Sequence, residues 1–299
     1  MNNDRYHDPV LVSECIAGLD IRQLADGTYV DCTFGGGGHS KAILAQLSAD
    51  GHLIGMDQDE HAARNVITDT RFTFIRGNFQ NIESHLKRLD VIPVDGILAD
   101  LGVSSHHIDT AERGFSTRHD GPLDMRMNRN AELTAAQVVN EYPEEKLADV
   151  IKAYGEMPGR RIVRALVQSR PIHTTKQLRD AAAPFAGRLA EKFFAKLFQA
   201  IRIEVNGELE ALKALLEQSV DVLKQGGRLA VISYHSLEDR LVKNYMLRGT
   251  FSGDVRTDHF GNPIRPFKPI TKKPIVAKGD ELLRNPRARS ARLRIAEKH

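Results

Sequence analysis

The feature that most constrains the fold lies between residues 28 and 57. Thr28-Tyr-Val-Asp-Cys-Thr-Phe34 is β-branched and aromatic, and four glycines, Gly35 to Gly38, follow it. Ser40-Lys-Ala-Ile-Leu-Ala-Gln-Leu47 then places Ile43, Leu44 and Leu47 on one helical face, ended by Asp50-Gly51. His52-Leu-Ile-Gly-Met56 is a short apolar strand that meets Asp57. Strand, glycine loop, helix and strand within roughly 30 residues is the layout of a mononucleotide-binding unit. Arg71-Phe-Thr-Phe-Ile75 and Val94-Asp-Gly-Ile-Leu-Ala99, the latter ending at Asp100, continue the alternation and predict an α/β fold with a parallel sheet.

The glycine run lets the backbone approach a ligand beside a helix N-terminus, although a glycine-rich turn can equally be only a tight connection. The dinucleotide pattern G-x-G-x-x-G fails at its third glycine, reaching Ser40 from Gly35 and Lys41 from Gly36, and the P-loop pattern is absent. Asp31 stands just before the loop, where it would repel a pyrophosphate and attract a cation. Parallel sheets bind ligands outside the carboxyl ends of their strands, so Asp31, Asp57 and Asp100 are expected to line one crevice. Singly, such an aspartate is a turn residue or a helix cap. Together with the loop, the three favour a ligand carrying positive charge, with Asp57 placed for ribose hydroxyls. S-adenosyl-L-methionine, with its α-ammonium and sulfonium, suits that crevice.

Beyond about residue 108 the strand signals stop. Leu147, Val150, Ile151 and Tyr154 form an amphipathic stripe, Ile162, Val163 and Leu166 another, and Thr174-Thr175 is a candidate N-cap. Leu209, Leu212, Leu215 and Leu216 face one side of a helix expected to run to Gly226-Gly227, before the apolar strand Arg228-Leu-Ala-Val-Ile-Ser233 resumes the sheet. The predicted organisation is 1–107 and 206–299 as one α/β domain, interrupted by a helical insertion over 108–205.

From Arg256 onward there are 12 Lys/Arg against four Asp/Glu, in a chain whose total charge is only +3. Such a block suits a polyanion, or is a solvated tail. No apolar run approaches the ~20 residues of a bilayer span, and the first residues lack the pattern of a signal peptide. Cys15 and Cys32 are too few for a disulfide framework or a four-thiolate zinc site. The expectation is a cytoplasmic protein with no membrane partner and no metal.

Several blocks then resemble the MraW (RsmH) methyltransferases: Asp31 to Ser40, Asp57-Gln-Asp59, Asp95 to Ser105, Arg113-Gly-Phe-Ser116 and Gly121 to Met127. Phe198 to Asn206, Ile232 to Arg240 and Asn285 to Arg294 complete the series in the family's order. The resemblance implies a Rossmann-like class I S-adenosyl-L-methionine-dependent methyltransferase domain with an inserted helical domain. The implied activity is N4-methylation of a cytidine in the decoding centre (the P-site region) of 16S ribosomal RNA, on free RNA or on the small ribosomal subunit, by a monomer or a homodimer. It implies cofactor contacts at Gly37, Gly38 and His39, at Asp57, at Phe79 beside the adenine and at Asp100. His107 stands where the family usually has Gln. Asn128 and Tyr234 replace the commoner Asp and Phe, with no change expected in the chemistry.

Cytosine N4 is a poor nucleophile, so the enzyme must align the amine with the methyl donor and accept an amine hydrogen. Asp100, Ser104 and Ser105 are the candidates, with Asp100 serving either the amine or the cofactor. Neither cysteine follows a proline, so a covalent cysteine route is not expected; Cys32 reads as a buried strand filler. His235 could face the crevice, or be structural beside a Ser236 cap. Pro122 to Met127 reads as a lid or as packing. Reaching an exocyclic amine needs an unstacked base. Arg160, Arg161, Arg164 and the stretch Lys268 to Arg294 are candidates for RNA backbone contacts or for a solvated surface. The rival readings are a nicotinamide dehydrogenase built on the glycine loop and a non-catalytic nucleic-acid-binding protein.

Overall fold

A computed structural model describes residues 9–261 and 264–299; the Ser105 and Arg287 side chains lie outside this description. The chain packs as two units, the residues up to Gly102 with Leu209–His299, and Val103–Glu208. In chain order the first unit opens with α1 (Val12–Leu19), β1 (Thr28–Asp31), α2 (Gly38–Leu44), β2 (His52–Asp57), β3 (Phe72–Arg76), α3 (Ile82–Arg88) and β4 (Val94–Asp100). The second contains α4 (Ser105–Asp109), α5 (Ala135–Glu141), α6 (Glu144–Gly155), α7 (Gly159–Gln168), α8 (Thr175–Ala182) and α9 (Ala190–Asn206). The chain returns through α10 (Glu208–Val222), β5 (Leu223–Ser233), α11 (Ser236–Arg248), β6 (Phe267–Pro269), α12 (Asp280–Arg284) and β7 (Arg292–Lys298).

The seven strands form one sheet in the order β3-β2-β1-β4-β5-β7-β6. Strands β1 to β5 pair in parallel, and β7 runs antiparallel to both β5 and β6. The strand order reverses between β1 and β4, the crevice where open α/β sheets bind ligands. Both faces of the sheet are covered, so the interior strands are apolar throughout, and β4 is buried from Val94 to Ala99.

Several boundaries differ from expectation. β1 stops at Asp31, so Cys32 lies in the turn after it, although its N–H still reaches the Leu98 carbonyl at 2.8 Å. Helix α2 starts earlier and ends at Leu44, with Gly37 as its N-cap. α10 ends at Val222, because Leu223 already pairs with Val94; Gly226, at φ 77°, forms a turn inside β5 rather than a helix cap. The basic C-terminal stretch is no solvated tail from Phe267 onward. It supplies β6 and β7, and Leu293, Ile295 and Ala296 are buried.

The helical unit has its own core, in which the predicted stripes meet: Leu147, Val150 and Ile151 are buried, as are Ile162, Val163 and Leu166. Thr134 and Thr174 cap α5 and α8, each in a reciprocal bond with a glutamine three residues on. Thr175, the other candidate cap, is buried and donates its hydroxyl to the His119 carbonyl. Leu123, Met125 and Met127 pack into this core, so the Pro122–Met127 segment is packing rather than a lid. Buried Arg113 secures it by donating to the Arg126 and Met127 carbonyls, both at 3.0 Å.

Candidate active site

The register accounts for the meeting of the three carboxylates. Asp31 pairs with Gly55 on one side and Leu98 on the other, and Asp57 and Asp100 each lie two residues further along. Side chains repeat every second residue along a strand, so all three share one face parity at the sheet's carboxyl edge. Each is then held differently. Asp31 is 1% exposed and accepts from the Ser40 hydroxyl at 2.7 Å and the Thr33 N–H at 3.1 Å. Asp57 accepts from the Gly35 and Asp59 N–H groups, both at 2.8 Å. The backbone N–H of Asp100 donates to the Thr33 hydroxyl, and its carboxylate accepts from the Tyr234 hydroxyl at 2.8 Å. The strand-end turns are thus tied to their neighbours by the side chains of Asp31, Thr33 and Asp57.

The glycine loop is shaped by two different requirements. Gly37 has φ 74°, the left-handed region that other residues enter at a cost. Gly38 is a matter of space: a Cβ there would lie 2.7 Å from Pro9 Cγ. The Gly35 carbonyl accepts from the Asn65 amide at 2.9 Å, bracing the loop from the far side. His39 is buried, and its imidazole turns inward. Nε2 donates to the Val10 carbonyl at 2.8 Å, which leaves Nδ1 facing Asp100 at 3.9 Å. Its backbone, not its ring, fronts the loop.

Burial pushes the Asp57 carboxyl up to about 6, aided by the Asp59 and Asp31 charges and opposed by the two N–H groups that it accepts. Burial likewise pushes Asp100 up to about 6. His39 and the Tyr234 hydroxyl oppose the rise, while Asp31 and Glu238 add to it. The Tyr234 phenol is pushed well above its ordinary value by burial and by Asp100, so it stays a donor. These are acids poised near neutrality, as sites that handle protons require.

Phe79 follows β3 and is half-buried against the sheet core. The neighbouring Asn78 reaches back to the Gln58 side chain after β2, at 2.9 Å. Ser104 and His107 belong to the helical unit, where they are occupied: Ser104 is the N-cap of α4, accepting from the His107 N–H, and His107 Nδ1 accepts from the Ser104 N–H at 3.2 Å. The His107 ring lies on Phe115, with centroids 4.8 Å apart. The structure therefore groups Gly37, Gly38, His39, Asp57, Phe79 and Asp100 in the sheet unit, and Ser104 and His107 in the other. The Ser105 side chain falls outside the described residues.

His235, not Ser236, caps α11, in a reciprocal bond with Glu238. Tyr234, expected to leave the chemistry unchanged, turns out to bond Asp100. The signal was available: Ile232-Ser-Tyr ends β5, the strand beside β4, at the level where Asp100 pairs with Ile232. Cys15 and Cys32 are buried, and burial raises both thiols well above their ordinary value.

The MraW methylase family matches residues 4–299 of the chain. Ribosomal RNA small subunit methyltransferase H of Bacteroides thetaiotaomicron is 53% identical over 298 residues, covering 98% of this chain and 97% of that protein. The protein of the same name from Flavobacterium johnsoniae is 51% identical, covering 98% of both. Among solved structures, an rRNA methylase from Streptococcus thermophilus superposes with a TM-score of 0.41 at 13% identity, covering 93% of each chain. With a near-complete match of this kind laid over the strand-end site, the chain belongs to the MraW methylase family.

Proposed function

We propose that this methylase uses S-adenosyl-L-methionine to methylate N4 of a cytidine in the decoding centre of 16S ribosomal RNA. The observation that carries the reading is the stack of three carboxylates on adjacent strand ends, with no basic side chain among their hydrogen-bond partners in the described residues and His39 Nδ1 3.9 Å from Asp100. A pyrophosphate cofactor would meet like charge there, which disfavours the dehydrogenase reading, whereas an ammonium and a sulfonium meet opposite charge. The residues also fit the rest of that molecule. Each Asp57 oxygen accepts one N–H and keeps a lone pair for a ribose hydroxyl. Phe79 offers an aromatic face one strand further along, and Gly35 to Gly38 offer backbone groups without side chains.

S-adenosyl-L-methionine supplies the electrophilic methyl. As the N–C bond forms and the S–C bond breaks, the amine must lose a proton. Asp100 is the group we assign to accept it: an acid titrating at about 6 can hold an amine hydrogen as a carboxylate and pick up the proton when the nitrogen becomes positive. Tyr234 and His39 fix its orientation. Ser104 and His107 are committed to the α4 cap and carry no step. The raised thiols of Cys15 and Cys32 suit a route without a covalent cysteine intermediate.

The test is transfer of labelled methyl from S-adenosyl-L-methionine to small-subunit ribosomal RNA, free and in subunit particles, with mass-spectrometric mapping of the product. The expected product is an N4-methylcytidine in the decoding centre, lost in Asp100→Asn, in which cofactor binding is weakened but still measurable. Label on another base or atom, or full turnover in Asp100→Asn, would overturn the assignment.

A further inference from the structure

The turn that carries Tyr234 has a second side. Opposite it, the segment before β7 folds back and leaves a cavity of about 300 Å³. Its lining is mixed: Val276, Ala277 and Leu282 are apolar, while His235, Ser236, Arg289 and Arg292 are polar or basic. Tyr234 lines the cavity while its hydroxyl bonds Asp100, so a single side chain separates this space from the proton-accepting carboxylate.

The charges around the cavity leave it positive. No carboxylate lines it. Of the nearby acids, Glu238 is 2% exposed and turns toward the Tyr234 N–H at 2.8 Å and toward His235 Nε2 at 3.0 Å. Asp239 is shared between Arg292 and buried Arg294. Glu238 and Asp239 offset Arg292 and Arg294 in number, so the surplus positive charge is Arg289, which is exposed and, among the described residues, meets no acid. A lining that combines apolar side chains with two arginines, in a space at the small end of ligand sites, matches one nucleotide: base or ribose against the apolar side chains, phosphate on the arginines.

We propose that this cavity is a nucleotide subsite for the RNA strand, binding a residue adjacent to the methylated cytidine with its phosphodiester on Arg289 and Arg292. The inference rests on the functional reading above and adds the place where the strand is gripped. Presenting an exocyclic amine requires a base drawn out of its stack, and a phosphate held one side chain away from Asp100 keeps the drawn-out nucleotide in register.

Fluorescence anisotropy with a single-stranded oligoribonucleotide spanning the decoding-centre cytidine tests this. Arg289→Gln should weaken binding about tenfold and flatten the log–log salt dependence by about 0.7, with S-adenosyl-L-methionine binding unchanged. Val276→Trp, which fills the cavity without altering charge, should weaken RNA binding as well. A scan of neutral methylphosphonate linkages should find one, beside the target, whose replacement costs the wild type but not Arg289→Gln. Wild-type affinity and salt slope in both variants, while the wild-type chain binds the oligonucleotide, would overturn the subsite alone. A wild-type chain that binds S-adenosyl-L-methionine but ignores the RNA would overturn the functional reading and the subsite with it.

Discussion

Asp100 and Asp57 set the pH behaviour of the site. Both titrate at about 6, above the ~3.9 of a free aspartate. Their ionised forms therefore cost folding free energy at neutral pH, and that cost is relieved as pH falls from above 6 toward 4. Function moves the opposite way, because the crevice needs the carboxylates charged. Calorimetric titration should show affinity for S-adenosyl-L-methionine falling as pH drops through about 6. The acid limb of kcat/KM should fall in the same region. Tyr234→Phe removes a hydrogen bond that stabilises the Asp100 carboxylate, so that limb should move up by about one pH unit; an unmoved limb would reduce Tyr234 to packing. His39 and Ser40 show what the sequence conceals at this scale. Both stand in the glycine-loop motif as if aimed at a ligand, yet Ser40 secures Asp31 and the His39 imidazole points back at Val10 and Asp100.

Among the elements, the junction of β7 and α11 is the least foreseeable from sequence. Arg294 lies in a basic block that suits RNA, but its guanidinium is 7% exposed and donates to Asp239 at 2.7 Å, with Arg292 joining at 3.2 Å. Asp239 is held below the usual carboxylate range: burial works against this, but the hydrogen bonds and charges of Arg294 and Arg292 together outweigh it. Arg294→Met leaves the buried Asp239 with the more exposed Arg292 alone, so it should lower stability by about 2 kcal/mol, read as a reduced denaturant midpoint with an unchanged slope. Arg160, Arg161 and Arg164 are by contrast exposed on α7, and among the described residues only Arg164 of the three approaches an acid, Glu144 at 3.8 Å. Charge composition does not separate these two kinds of arginine. The difference depends on which face of each element is buried.

For the molecule as a whole, the two units have separate cores, one around the sheet and one among α5 to α9. Ile151→Ala, at a fully buried site in the helical unit, should cost about 3 kcal/mol. Hydrogen exchange should accelerate chiefly within residues 103–208, leaving S-adenosyl-L-methionine binding near wild type. Equal acceleration in β1 to β5 would show one cooperative unit instead. The division between Gly102 and Val103 cuts through a stretch, Asp95 to Ser105, that reads as one motif, because a motif records chemistry and not which core each side chain enters. Local pattern was enough for the parallel sheet, the glycine loop, the acid at each strand end and the helical stripes, since strand and helix periodicities and the freedom of glycine act over a few residues. Only the tertiary structure decided that Tyr234 bonds Asp100, that Arg294 is buried against Asp239, and that the basic C-terminal stretch forms two strands. Each of these depends on a partner brought from a different strand, helix turn or distant segment, and burial, hydrogen bonding and charge pairing are properties of that meeting.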